Sequence, residues 1–273
     1  MDDDVLLLME NIDKSFPGVD ALKKCRFELK AGEVHALVGE NGAGKSSLVK
    51  VVAGVYLKDA GRILYKGKEV DIPNPRAAQL LGISMVHQEL DLMPHLTAAQ
   101  NIFIGREPIR GAKIILDENT LNDKAQEIFN MMHLKLNPRT KVADMSVANQ
   151  QMVEIARALS FNSDVLILDE PTAALAHVEI MELFRIIRQF RDKGVGVIYI
   201  SHRLEELKEI SDRITVMRDG CYVNTVLTQE STIDQIIKMM VGRVIYESSP
   251  EIPENPSQEK VLEAVSYTHL RAH

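Results

Sequence analysis

Eight consecutive residues, Gly39-Glu40-Asn41-Gly42-Ala43-Gly44-Lys45-Ser46, match G-x-x-x-x-G-K-[ST] at every fixed position. Glycines let a backbone turn so that its N–H groups point inward at phosphate oxygens. A helix beginning at Lys45 would add its positive N-terminus. In that arrangement Lys45 reaches the β- and γ-phosphates of ATP, the Ser46 hydroxyl helps hold Mg²⁺, and Ser47 joins the binding set. The plain alternative is a glycine turn with an exposed lysine. With glycine at about 7% of residues, a chain of this length matches the pattern by chance roughly once in a hundred. An apolar run before it, Val34–Val38, and a helical run after it, Lys45–Ala53, supply the strand–loop–helix context that phosphate binding needs.

A second candidate is Val165-Leu166-Ile167-Leu168-Asp169-Glu170, an apolar run ending in two acids. Asp169 would bind Mg²⁺ directly or through water, and Glu170 would polarise the water that attacks the γ-phosphate. Phosphoryl transfer asks for charge placed on a transition state, and the end of a buried strand holds charge rigidly. Two acids after a strand are, taken alone, usually a solvated turn. Beside a phosphate loop they become catalytic candidates.

These groups need a scaffold. Val5–Met9, Val34–Val38, Gly61–Tyr65, Ile83–Val86, Val165–Leu168 and Val195–Ile200 read as strands. From about Asp117 to Leu134 the apolar residues Leu121, Ala125, Ile128, Phe129 and Met132 fall near a 3.6 period. A second amphipathic helix spans Val178 to Asp192, and a last one Ile233–Val241. Strand, helix and strand at this spacing is the βαβ pattern of a parallel sheet covered on both faces.

The 273 residues are 45% hydrophobic and 26% charged, with a net charge of −7. That is an ordinary globular balance, and it advertises no basic surface for nucleic acid. Cys25 and Cys221 are far apart and lack metal-ligand spacing, which fits a reduced compartment. The acidic start Met1-Asp2-Asp3-Asp4 is unlike a signal peptide, and no apolar run approaches the ~18 residues of a membrane span.

Further residues give the chain a family resemblance. Gln88, in His87-Gln88-Glu89-Leu90, sits where the ATP-binding cassette family places its Q-loop glutamine. Ser146-Val147-Ala148-Asn149-Gln150-Gln151 falls at the signature motif, Pro171–Leu175 at the D-loop, and His202 at the switch histidine that contacts the γ-phosphate. Phe16 matches the aromatic that stacks on adenine. Across residues 5 to about 246 the sequence resembles that family, and Val86–Leu90, Leu96–Phe103 and Ser146–Ile155 resemble the tandem ATPase subunit of ribose- and galactoside-type sugar importers. The resemblance implies an α/β P-loop NTPase cassette over residues 1–246. It would have a RecA-like core, an antiparallel β subdomain and a helical subdomain at about 90–160. It implies Glu170, His202 and Gln88 as catalytic, and Ser46, Gln88 and Asp169 around Mg²⁺. It further implies a second cassette, membrane permease subunits, indirectly a periplasmic or extracellular sugar-binding protein, and a peripheral place on the cytoplasmic face of the membrane.

The sequence also departs from the family. The usual Leu-Ser-Gly-Gly-Gln signature carries Val147 and Ala148 for its two glycines and Asn149 for the glutamine, and the usual D-loop aspartate is Ala176. A Cβ at both glycine positions hinders close backbone approach to phosphate. The resemblance to that subfamily implies two unequal ATP sites, the stronger formed by Gly39–Ser46 closed by the second cassette's signature. Residues 247–259, rich in proline and without a basic residue up to Ser257, read as a stiff linker. Lys260–Ala264 resembles Val5–Glu10 and is expected to begin a second cassette. Val265–His273 correspond to one reading frame of a transposon end used in sequencing libraries, and are set aside from the fold expectation. On this basis the chain alone, lacking a second cassette's signature, would be a poor ATPase unless it forms a homodimer. The alternative function is a soluble tandem ATPase acting on ribosomes or nucleic acid, which the acidic balance disfavours.

Overall fold

The computed structural model describes residues 4–110, 115–161 and 163–242. The linker expected at 247–259, the second-cassette start at 260–264 and the tail at 265–273 lie outside the described residues. In chain order, β1 (Val5–Phe16) and β2 (Val19–Lys30) pair antiparallel, and β3 (Val34–Val38) leads through the glycine loop into α1 (Lys45–Val52). β4 (Ala60–Tyr65), β5 (Lys68–Val70), α2 (Pro75–Leu80) and β6 (Ile83–Val86) follow. A stretch with α3 (Ala98–Ile102), the ribbon β7 (Ile109–Arg110) and β8 (Ile115–Leu116), α4 (Glu118–Met131) and α5 (Val147–Leu159) comes next. The described chain ends with β9 (Val165–Asp169), α6 (His177–Asp192), β10 (Gly196–Ile200), α7 (Leu204–Ile210), β11 (Arg213–Arg218), β12 (Cys221–Leu227) and α8 (Ile233–Val241).

The central sheet has the order β12-β11-β3-β10-β9-β6, parallel except for the antiparallel edge strand β12. Every residue of β3, β9 and β10 is buried. That explains their largely apolar runs: with both faces covered, a polar residue such as His35 or Asp169 is the exception and is buried with the rest. Alternate residues feed two separate cores. Leu166, Leu168, Val197 and Tyr199 face a core shared with α3 to α8, while Val165, Ile167, Ile198 and Ile200 face one shared with α1, α2 and the antiparallel strands. Each fully buried Val, Leu or Ile contributes about 1.5–3 kcal/mol, so this two-sided sheet gives the site a well-anchored base. The carboxyl ends of β3, β9 and β10 open at one edge, and each continues into a turn carrying a candidate residue.

The antiparallel sheet β2-β1-β4-β5 lies against the α1 side. β1 runs to Phe16, well past the expected Val5–Met9, because its pairing with β2 continues through several register shifts to Phe16↔Val19. This cross-strand pairing carries Phe16 to the mouth of the cleft described below. In α4 the expected face, Leu121, Ala125, Ile128 and Phe129, is buried. Asp117 caps that helix by accepting from Thr120 N at 3.2 Å. Thr97 and Gln100 form a reciprocal capping box on α3, satisfying the amides of both residues at the start of that short helix. Among the described residues no helix is long and apolar enough to cross a membrane.

Candidate active site

The loop between β3 and α1 is shaped by close approaches. Gly44, the N-cap of α1, has φ 96°, and a Cβ there would meet the Ala21 carbonyl oxygen at 2.6 Å. A Cβ on Gly39 would collide with the Met217 carbonyl oxygen. Glycine is required at both positions for steric reasons, and at Gly44 also for conformation. The loop wraps the ammonium of Lys45, whose Nζ donates to Gly39 O at 2.8 Å and Glu40 O at 3.0 Å. Burial pushes the Lys45 pKa below its ordinary value, opposed by the nearby carboxylates of Glu170 and Asp169.

Asn41, Gly42, Ala43, Gly44, Lys45, Ser46 and Ser47 line an open cleft of about 890 Å³ with Phe16, Gln88, Glu170 and His202. Residues from five distant stretches of chain therefore meet in one place. Val19 and Ala21, which the sequence did not single out, line it too. They reach it through the start of β2, and no local pattern marks that pairing. Phe16 lies edge-on to Tyr56, with ring centroids 5.0 Å apart, and stays 36% exposed at the cleft.

Glu170 follows β9 directly and has φ 50°, a left-handed conformation that costs a non-glycine residue of order 1 kcal/mol or more. Its amide donates to Ile200 O at 3.0 Å, which ties the turn to β10. Its carboxylate accepts from Gln88 Nε2 at 3.1 Å and lies 3.5 Å from His202 Nδ1. Acid, amide and imidazole thus converge on one point beside the phosphate loop.

Asp169, Ser46 and Gln88 line an adjoining cleft of about 400 Å³ with Lys50 and His87. Burial raises the Asp169 pKa; the Ser46 hydroxyl lowers it, and the charge of Glu170 raises it further. A carboxylate so disfavoured by burial and a like charge is one that a cation would stabilise. The hydroxyl, carboxylate and amide oxygens on offer are hard donors that suit Mg²⁺, which keeps several waters and takes few protein ligands. The residues present therefore fit that ion.

The structure does not bring Ser146, Val147, Ala148, Asn149 or Gln150 to either cleft. Ser146 is the N-cap of α5 and accepts from Asn149 N at 3.3 Å, Val147 is exposed, and Ala148 is buried. Gln150 Nε2 donates to Val142 O and Met145 O at 3.2 and 3.1 Å, holding the turn that precedes α5. The sequence also missed Glu206, a buried carboxylate behind the Glu170 and His202 turns. In sequence it is one more acid in the first turn of a helix, and nothing local distinguishes it.

The sequence and the fold are similar to those of known proteins. The chain is 56% identical over 98% of its length to a protein of Burkholderia cenocepacia named as a ribose/galactose/methyl galactoside import ATP-binding protein. It is 44% identical over 98% of its length to the galactose/methyl galactoside import ATP-binding protein of Mannheimia succiniciproducens. It covers 52% and 53% of these two proteins, so it spans about half the length of the relatives it matches. Among solved structures, a nucleotide-free ATP-binding cassette from an ABC transporter matches 88% of this chain and 96% of its own, with a TM-score of 0.75 and 26% identity. A cassette in its ADP conformation matches 88% of this chain and 99% of its own, with a TM-score of 0.76 and 25% identity. The profile of the ABC transporter family matches residues 22–173, more than half of the sequence, and the chain belongs to that family.

Proposed function

We propose that this chain is an ATP-hydrolysing cassette of a pentose or hexose importer, coupling hydrolysis to transport through a membrane permease. The observation that carries the hydrolytic part is the convergence of the phosphate loop, Glu170, Gln88 and His202 on one cleft. The importer part rests on similarity to the sugar-import relatives.

The loop amides and the N-terminus of α1 cradle the phosphates, and Lys45 exchanges its carbonyl partners for the β- and γ-phosphate oxygens. Phe16 stacks on adenine at the cleft mouth. Ser46, Asp169 and Gln88 would hold Mg²⁺, which when bound neutralises charge on the phosphate oxygens. Glu170 accepts a proton from the water in line with the γ-phosphate, while Gln88 and His202 fix its carboxylate and sense the γ-phosphate. Ser146, on a different surface, serves the site of a partner cassette. With Val147 and Ala148 in place of glycines, that partner site is the weaker, and the Gly39–Ser46 site does most of the hydrolysis. The block from α3 to α5 is the helical subdomain that meets the permease, on the cytoplasmic side of the membrane.

The test uses the full-length protein in which this cassette occurs. Lys45→Ala should abolish ATP binding at this site, measured by titration with a fluorescent ATP analogue; unchanged affinity refutes the loop assignment. Genes for a permease and a sugar-binding protein are expected beside this one. Neighbouring ribosomal or nucleic-acid-processing genes in their place would overturn the transport assignment.

A further inference from the structure

Glu206 lies in the first turn of α7 and is buried. Its Oε2 accepts from three hydroxyls: Thr172 Oγ1 at 2.8 Å, Tyr199 OH at 3.1 Å and Ser201 Oγ at 3.2 Å. Its Oε1 accepts from Arg203 at 3.0 Å. Thr172 stands two residues after Glu170, and Ser201 immediately precedes His202. The Ser201 hydroxyl also accepts from Arg203 N at 3.0 Å, so the His202 turn is held on both sides. One carboxylate oxygen therefore ties the turn after β9 to the turn after β10.

The bonding pattern separates this role from ordinary helix capping. An acid that served α7 alone would accept backbone amides of the first turn. All four bonds to Glu206 come instead from side chains, and two of the donors belong to the candidate catalytic turns. A carboxylate is acceptor-only and can serve several donors, whereas an amide would turn an N–H₂ toward one of them. Burying such a charge is costly unless it is hydrogen-bonded, and here four donors reach it, three of them on Oε2.

We infer that Glu206 is a positioning residue for ATP hydrolysis, locking the Glu170 turn to the His202 turn so that both side chains move as one unit. The inference rests on the proposed hydrolytic role of Glu170. Small displacements of a reacting group cost rate steeply, so the lock acts on kcat and leaves nucleotide binding at the separate phosphate loop alone.

The test compares wild type, Glu206→Gln, Thr172→Val and Glu170→Gln in the full-length protein. It measures ATP turnover, KM, ATP-analogue affinity, melting temperature and hydrogen exchange. Glu206→Gln should lower kcat about tenfold or more, with KM and affinity within about twofold of wild type. Exchange should accelerate together at residues 170–176 and 200–203, and stay unchanged at 39–46. Thr172→Val, nearly isosteric and removing one donor, should lower kcat without loss of fold and keeps the idea testable if Glu206→Gln folds poorly. Wild-type kcat in both variants overturns the inference, as does a loss of nucleotide affinity equal to the loss of rate. If wild type does not hydrolyse ATP, or Glu170→Gln turns over like wild type, the hydrolytic role itself fails. The joint exchange response then still decides whether the lock exists.

Discussion

Glu170 combines three constraints that rarely meet in one residue. Its backbone is left-handed at φ 50°, its amide is bonded to Ile200 O, and its carboxylate sits between Gln88 and His202. Pro171 follows, and a proline further narrows the conformations of the residue before it. Such strain persists only when the surroundings over-determine it, and here β9 and β10 do so from both sides. Glu170→Gln keeps the size and the backbone demands but removes the basic oxygen. It should still bind ATP while turning it over at least ~10-fold more slowly in a steady-state phosphate-release assay. Turnover at the wild-type rate would remove Glu170 from the role of base. The motif spacing made Glu170, Lys45 and Ser46 legible in the sequence. The strain at Glu170 was not legible, because φ is imposed by strands that pair across the sheet.

At the scale of elements, α6 shows what the Ala176 departure costs. Ala176 is the N-cap of α6 with extended φ and ψ of −73° and 160°. The Glu179 carboxylate accepts from Ala176 N at 2.8 Å, which is one half of a capping box. The other half needs a side-chain oxygen at the N-cap, and a methyl group cannot supply it. Ala176→Ser should complete the box and stabilise the protein by about 1 kcal/mol, read as a higher urea midpoint with unchanged slope. An unchanged midpoint would mean that those amides already have partners. Serine is preferred to aspartate for the test because a second carboxylate beside Glu179 would add repulsion. The helices α4, α6 and α8 were legible from apolar periodicity. By contrast β2, with polar residues such as Lys23, Lys24 and Arg26 along its exposed side, carried too little local signal. Its position is decided by pairing with β1.

For the whole molecule, the candidate site lies at the carboxyl ends of the central strands, and a charged network braces the opposite end. Glu33, just before β3, accepts from Arg213 Nε at 2.9 Å and from its NH2 at 2.8 Å, and lies 3.2 Å from His35 Nδ1. Arg213 also reaches Glu28 Oε1 on β2 at 3.1 Å, joining the central sheet to the antiparallel one. Burial alone would raise the Glu33 pKa, but the His35 and Arg213 hydrogen bonds outweigh it and hold the carboxyl at about 2, against an ordinary 4.5. His35, fully enclosed, is pushed by burial toward the neutral form and bonds from Nδ1 as a neutral donor. A depressed carboxyl stabilises the fold above its ordinary pKa, and this is lost as pH falls from about 4.5 toward 2. The contribution is on the order of 3 kcal/mol. Glu33→Gln should therefore lower stability at pH 7 by a few kcal/mol, with the gap to wild type closing toward pH 2 in urea titrations. ATP affinity should not move, since the network touches no residue of the cleft. A constant gap across that pH range would show that the charge of Glu33 is not what stabilises.

The sequence by itself determined the phosphate loop, the acidic pair after β9 and the buried strands, because each depends on residues close together in the chain. Loop curvature follows from glycine, and a largely apolar run follows from burial on two faces. Only the tertiary structure decided that Phe16, Gln88, Glu170 and His202 share a cleft with that loop while Ser146–Gln150 stand elsewhere. It also decided that Glu206 ties together two turns about thirty residues apart in sequence. These relations are made by side chains meeting across strand ends, where the parallel order β3-β10-β9 sets the neighbours and chain distance carries no information.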